Sequence, residues 1–101
     1  MAQYPQTVIV NTTASRTTLN VISPIVVFAG AGWVTAVNVV TAGSAAGTIN
    51  DAATTGAAAV GNQVATAPNT VGRYPIEMPV TNGLVIIPGA AQVLAISWRR
   101  P

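Results

Sequence analysis

The chain has 101 residues, of which 50% are hydrophobic and only 6% are charged. It contains no His, Cys or Lys, which excludes His- or Lys-based nucleophilic triads, disulfide bonds and thiolate metal sites. Soluble domains carry about 25% charged residues, and surface charge keeps monomers apart in solution. The length predicts one domain over residues 1–101, and the low charge predicts an assembly protein that spends much of its surface on neighbours. The alternative is a secreted or periplasmic domain with a surface of Thr, Asn, Ser and Gln.

The first half of the chain reads as short strands separated by Gly, Pro and Asn. The segment 33–40 has β-branched residues on both faces of a period-two pattern, which predicts a central strand covered on each side. One predicted face carries Trp33, Thr35, Val37 and Val39. The small-residue segment 41–47 predicts a loop or a hairpin turn. We predict strands at residues 7–11, 17–22, 25–28, 33–40 and 48–51.

The second half begins with an ambiguous stretch, in which residues 52–61 allow one helical turn limited by Gly56 and Gly61. We predict strands at residues 63–66, 73–78, 83–87 and 92–98. Pro75 lacks a backbone donor, which predicts an edge strand or a bulge. The Asn82-Gly83 pair predicts a type I′ hairpin turn. The last strand places Leu94, Ile96 and Trp98 on one face.

Strands spaced roughly 8 to 12 residues apart are typical of sandwiches and barrels. We therefore predict an all-β fold, an antiparallel two-sheet β-sandwich that is jelly-roll-like. Residues 1–6 have no periodicity and contain Pro5, which predicts an extended N-terminal arm. The most apolar span, residues 24–40, is interrupted by Gly, Thr and Asn and predicts two strands rather than a membrane helix. The first ten residues lack the features of a signal peptide.

The sequence offers little to an enzyme, because Asp51 and Glu77 are its only carboxylate side chains. Asp51 follows a predicted strand, where Asp commonly accepts bonds from nearby backbone N–H groups. Glu77 lies four residues after Arg73, which predicts a surface pair or a solvated side chain. We expect no catalytic residue, no metal, no cofactor and no small-molecule substrate.

Aromatic side chains provide the candidate interface. Trp98 continues the face of Leu94 and Ile96, which favours a place in the core, whereas Trp33 fits core and interface about equally. Arg99 and Arg100 follow Trp98 as a short basic tail, which predicts a solvated end that stops further strand pairing rather than a nucleic-acid patch. The candidate interface residues are Tyr4, Pro5, Trp33, Tyr74, Arg99 and Arg100.

Three segments carry a resemblance to a known group of proteins. They are GWVTAVNVVTAGSAAGTIND (residues 32–51), GNQVATAP (61–68) and GRYPIEMPVTNGLVIIPGAAQVLAISW (72–98). Their order resembles small β-sandwich virion structural proteins of tailed bacteriophages, over roughly residues 32–98. The shared pattern is a Gly-led strand, a Thr/Ala/Gly/Ser-rich hairpin, a short strand ending in Asp, a strand ended by Pro, an N-G-L turn into a Val-rich strand, and a last strand ending in an aromatic residue. The resemblance implies a virion protein without enzymatic activity.

Within that group, we expect a capsid decoration (cement) protein that binds and stabilises the outer shell. Its expected partners are the major capsid protein and copies of itself, with no nucleic acid and no membrane. The expected location is the capsid surface of the virion, after synthesis in the host cytoplasm. A neck, tail or fibre component is the alternative within the virion. A glycan-binding module that uses Trp33, Trp98 or Tyr74 is the alternative from another class.

Overall fold

The computed structural model describes residues 15–100. The predicted arm at residues 1–6 and the predicted strand at residues 7–11 lie outside the described residues. Between residues 15 and 100 the chain forms eight strands, two single-turn 3₁₀ helices and no α-helix. The strands are β1 (Arg16–Val21), β2 (Ile25–Ala29), β3 (Gly32–Thr41), β4 (Gly47–Asp51), β5 (Gln63–Ala67), β6 (Gly72–Val80), β7 (Gly83–Ile87) and β8 (Val93–Arg99). The 3₁₀ turns, Thr55–Ala57 and Val60–Asn62, occupy the stretch where one helical turn is predicted.

The strands form two four-stranded antiparallel sheets that pack against each other. Sheet 1 has the order β1-β8-β3-β6, and sheet 2 has the order β2-β7-β4-β5. Every pair of hydrogen-bonded neighbours is antiparallel. The predictions of an all-β fold and of an antiparallel two-sheet sandwich are therefore confirmed.

The core lies between the sheets and consists almost entirely of aliphatic side chains. Leu94 and Ile96 of β8 meet Ile49 of β4 and Leu84 and Ile86 of β7, and all five are fully buried. Burial of each side chain of this size contributes about 1.5–3 kcal/mol to the free energy of unfolding. This explains how a domain with so few charged residues is held together, since aliphatic packing needs no electrostatic contribution.

Strand β3 is central in sheet 1, as predicted, but its faces are not those predicted. The register against β8 shifts between Val34 and Ala36, so β3 contains a bulge at Thr35. An extra residue in one strand reverses the alternation beyond it. Val34 therefore points into the core together with Val37 and Val39, and Trp33 points away from it.

Two connections expected to resemble hairpins link the two sheets instead. The loop after β3 leads to β4 in sheet 2, and the loop after β6 leads to β7, also in sheet 2. The predicted type I′ turn at Asn82-Gly83 is wrong, because that turn needs a positive φ at both central residues and Asn82 does not have one. The Asp51 carboxylate holds this connection by accepting bonds from the backbone N–H of Thr81 (3.1 Å) and Asn82 (2.7 Å).

Between residues 15 and 100, the four strands at the sheet edges are all bulged. The register shifts between Thr18 and Val21 in β1, and β2, β5 and β6 each carry one extra residue against their single neighbour. Pro75 lies on the edge strand β6, as predicted. Bulges twist an edge and interrupt its row of free backbone groups, which opposes the addition of a further strand.

Candidate functional site

Strand pairing places Trp33, Pro79 and Arg99 in one row across sheet 1. Trp33 of β3 is the register partner of Pro79 of β6 on one side and of Arg99 of β8 on the other. Paired residues in neighbouring strands project from the same face of a sheet. Because the adjacent residues Val34 and Val80 are buried in the core, this row lies on the outer face.

The row borders an open cleft of about 320 Å³, which we call the Trp33 cleft. Its volume is at the lower end of the range for small-ligand pockets, about 300–1,000 Å³. Most of its surface is apolar, and the guanidinium groups are its positively charged part. Its lining residues are Ala31, Gly32, Trp33, Pro79, Val80, Arg99 and Arg100.

Two neighbours hold the indole of Trp33 in place. Its Nε1–H donates a hydrogen bond to Oε1 of Glu77 at 3.1 Å, and the Arg99 guanidinium lies 5.0 Å from the ring centroid. Glu77 has a φ of +54°, in the left-handed region that side-chain-bearing residues seldom adopt. This unusual backbone lies at the β6 bulge, so the bulge aims the carboxylate at the indole.

An aromatic pair closes the core next to the cleft. The rings of Phe28 and Trp98 have their centroids 5.2 Å apart, and Trp98 donates its indole N–H to the Thr18 hydroxyl at 2.9 Å. Arg100 lies 5.0 Å from the Phe28 ring and donates to the Ala29 carbonyl at 2.9 Å. Trp98 thus packs at the margin of the core.

Three of the four arginines gather at this end of the sandwich, each beside an aromatic ring. Arg16 lies 5.9 Å from the Trp98 ring, while Arg99 and Arg100 flank the cleft. Between residues 15 and 100 the two carboxylates are held by other donors, Asp51 by backbone N–H groups and Glu77 by the Trp33 indole. We call this region, with Phe28, Trp33, Trp98, Arg16, Arg99 and Arg100, the aromatic end.

No relative assigns a function to this arrangement. Comparison with protein-family models, with curated proteins and with solved structures finds no match to the chain.

The structure brings together three of the six candidate interface residues, Trp33, Arg99 and Arg100. Tyr74 lies elsewhere: its ring packs against the core and its hydroxyl donates to the Thr70 carbonyl at 2.7 Å. Tyr4 and Pro5 lie outside the described residues.

Sequence reasoning missed Pro79 and the role of Glu77. The predicted surface pair of Glu77 with Arg73 gives way to the hydrogen bond with Trp33. The period-two pattern of the last strand predicts that Arg99 and Trp98 project from opposite faces of the sheet. The pairing of Trp33 with Arg99 depends on which strands become neighbours, and the local sequence does not determine this.

No three His, Cys, Asp or Glu side chains between residues 15 and 100 are close enough together to hold a metal ion. Over the same residues, no helix has the length and apolar character needed to cross a membrane.

Proposed function

We propose that this protein is a structural protein of a bacteriophage virion, a capsid decoration protein that binds the outer shell and its own copies. The observation that carries the proposal is a set of exposed aliphatic side chains in β1, β2 and the connection between them, on a sandwich with very few charges. We place the protein on the capsid surface, after synthesis in the host cytoplasm. The enzyme class has no support from the residues, since both carboxylates are occupied with structural hydrogen bonds.

The pairing of the strands supports a jelly roll as the topology. Strand β1 pairs with β8, β2 with β7, β3 with β6 and β4 with β5, as in a long eight-stranded hairpin rolled into two sheets. The β8–β3 and β7–β4 pairs then complete the sheets. Jelly rolls are common among viral capsid proteins and lectins. A fold alone does not determine a function, so the choice between a capsid protein and a lectin depends on the chemistry of the surface.

The aliphatic surface lies where the two sheets present adjacent edges. Strand β1 is an edge of sheet 1, β2 is an edge of sheet 2, and they follow each other in the chain. Leu19 is 72% exposed and Ile22 is 60% exposed, and Ile25 and Val26 of β2 are also exposed. We call these four residues the aliphatic edge. Exposed apolar side chains that cluster along the chain in this way favour an interaction site.

The aliphatic edge favours contact through side chains rather than through strand addition. Both of its strands are bulged, which interrupts the backbone pattern that a further strand would need. Arg16 is the only charged residue in the two strands. A neighbouring subunit can therefore cover this surface with little cost in charge desolvation.

A glycan-binding module is a second candidate, favoured by the position of Trp33 at an open cleft. A sugar ring stacks on a free aromatic face. The Arg99 guanidinium lies over the Trp33 ring, and Trp98 packs against Phe28. Both indoles thus already have neighbours at the ring, so we rank the glycan function below the decoration function.

The copy number in purified virions tests the proposal. Quantitative mass spectrometry against the major capsid protein should give a ratio of one to one or of one to a small integer. A ratio below about one in twenty would assign the protein to the neck, tail or fibres. Absence from every particle would refute a virion role and favour the glycan module.

Replacing Leu19 by Asp should weaken shell attachment by about 10-fold or more. The change removes an aliphatic contact worth about 1.5–3 kcal/mol and puts a charge into the interface. Sedimentation of the variant with undecorated particles measures the attachment. Val60→Asp is the matched control, because Val60 is 89% exposed on a 3₁₀ turn away from the aliphatic edge. Equal attachment of the two variants would contradict the role of the aliphatic edge.

A further inference from the structure

We propose that the Trp33 cleft is a binding site for an acidic apolar peptide segment, in which a Glu or Asp adjoins a large apolar side chain. The carboxylate binds the guanidinium groups of Arg99 and Arg100, and the apolar side chain packs against Trp33 and Pro79. The site lies on the outer face of sheet 1, apart from the aliphatic edge formed by β1 and β2.

The charge at the aromatic end favours an acidic partner. Arg16, Arg99 and Arg100 bring three positive charges to the aromatic end. Asp51 and Glu77, the chain's only carboxylate side chains, are committed to backbone N–H groups and to the Trp33 indole. Glu77 keeps its negative charge beside Trp33, but the three guanidinium groups outweigh it, so the net positive charge at this end favours an acidic partner.

The geometry of the Arg99 guanidinium group favours a carboxylate as its ligand. Arg99 has its guanidinium over the Trp33 ring, and such packing on an aromatic face leaves N–H groups at the edge of the guanidinium plane. Two parallel N–H donors fit the two oxygens of a carboxylate. A peptide carboxylate beside Trp33 can thus bind Arg99 without displacing it from the ring.

The apolar lining of the cleft favours a peptide over a simple anion. Trp33 and Pro79 are direct register partners and form one wall of the cleft, and Ala31 and Val80 add further apolar surface. A free carboxylate or an inorganic anion would leave this surface in water. A segment with a Leu or Phe next to its acid covers it, which selects a peptide over a simple anion.

The site is already ordered before a partner arrives. Trp33 is held by Glu77 on its indole N–H and by Arg99 over its ring, while Arg100 is held by the Ala29 carbonyl. Side chains fixed in advance lose little conformational entropy on binding. Anchors of the Trp and Arg types dominate the energetics of many interfaces.

A nucleic acid fits the same residues less well. Polyphosphate chains are tracked by basic grooves with several Lys and Arg side chains in a row. Arg73, the fourth arginine, lies six residues from Pro79 along β6, about 20 Å away at the usual rise per residue. Three of the four arginines thus lie at one end of the sandwich and the fourth lies well away from them, so the chain offers no continuous basic track, which suits a short acidic segment.

The inference rests on the proposed function only for the identity of the partner, which would be a shell protein. Binding of a peptide to the isolated protein does not depend on that identity. Failure of the peptide test and failure of the copy-number test are therefore distinguishable.

The test is an NMR titration of the full chain with two blocked tetrapeptides, acetyl-Leu-Glu-Leu-Glu-amide and acetyl-Leu-Gln-Leu-Gln-amide. The Trp33 indole N–H and the Arg99 side-chain N–H signals report on the cleft, and the Trp98 indole reports on the core margin. We expect both cleft signals to shift with the Glu peptide, with a dissociation constant on the order of 1 mM. The Gln peptide should bind at least fivefold more weakly.

Arg99→Gln should weaken binding of the Glu peptide at least tenfold. Arg73→Gln removes the same charge outside the cleft and should leave binding unchanged. Arg99→Lys retains the charge without the two-pronged donor and should give an intermediate affinity. Equal binding of the Glu and Gln peptides, equal effects of Arg99→Gln and Arg73→Gln, or stronger binding of a thymidine octanucleotide than of the Glu peptide would each overturn the proposal.

Discussion

Gly83→Ala is expected to lower the free energy of unfolding by more than about 3 kcal/mol, a large part of the 5–15 kcal/mol of an ordinary domain. Gly83 begins β7, where the backbones of neighbouring segments meet. A Cβ at this position would lie 2.8 Å from the Phe28 carbonyl oxygen and still closer to that of Ala52. Both obstacles are backbone atoms, so relief requires movement of the paired segments.

Backbone conformation adds to the clash at Gly83. Its φ of +153° is one that L side chains rarely adopt. The Gly83 carbonyl also accepts a bond from the Ala52 N–H at 3.2 Å, which fixes the two segments at this distance. Any shift that admits a methyl group therefore weakens the contact between β7 and the segment after β4.

Gly56→Ala is the matched control, because nothing lies within 4 Å of a Cβ at Gly56 in its 3₁₀ turn. We expect its free energy of unfolding to stay within about 0.5 kcal/mol of the parent. Urea titration followed by tryptophan fluorescence measures both variants. Similar midpoints for the two would show that the close approach at Gly83 does not limit stability.

The strands were predictable because their signals are local. β-branched alternation marks β3, the aliphatic run marks β7, and Gly or Pro separates most elements. The assignment of strands to sheets was not predictable in the same way. A short loop after β6 fits a hairpin and a crossing between sheets equally well, and the choice depends on the long-range partner of each strand.

The sequence indicates which residue types form the candidate site, but it does not indicate where in the fold these residues meet. Trp33, Arg99 and Arg100 are candidates from the sequence because large aromatic and guanidinium side chains favour interfaces. Their meeting depends on the register between β3 and β8, which are separated by four other strands in the chain. The Glu77–Trp33 hydrogen bond depends on a bulge in β6 that the local sequence pattern does not predict.

Neutral amide side chains stabilise the end of the sandwich opposite the aromatic end. Asn69 accepts a bond from the Gly43 N–H at 2.7 Å and donates one to the Gly43 carbonyl at 2.9 Å. Gln92 likewise connects its own turn to the segment after β5. Amides donate and accept at once, so they join loops without the desolvation cost of an ion. A chain with very few charged residues can order its connections in this way.

Gln92→Ala is therefore expected to lower the free energy of unfolding by about 3 kcal/mol, since each buried group left without its partner costs about 1–3 kcal/mol. Gln92 is only 1% exposed. Its Oε1 accepts from the Gly89 N–H at 3.0 Å, and its Nε2 donates to the carbonyls of Pro68 at 3.0 Å and Ala67 at 3.4 Å. Urea titration of the parent and the variant measures the difference.

Two further variants separate the hydrogen bonds of Gln92 from its volume. Gln63→Ala removes an exposed glutamine whose side chain donates to the Thr66 hydroxyl, and it should change the free energy of unfolding by less than about 0.5 kcal/mol. Gln92→Leu nearly preserves the buried volume but removes all three bonds. We expect it to be nearly as destabilising as Gln92→Ala, because the Gly89 N–H and the Pro68 carbonyl lose their partner in both. If Gln92→Leu recovers most of the parent stability, the loss in Gln92→Ala is due to packing. The hydrogen bonds of Gln92 would then not be what stabilises this end of the low-charge fold.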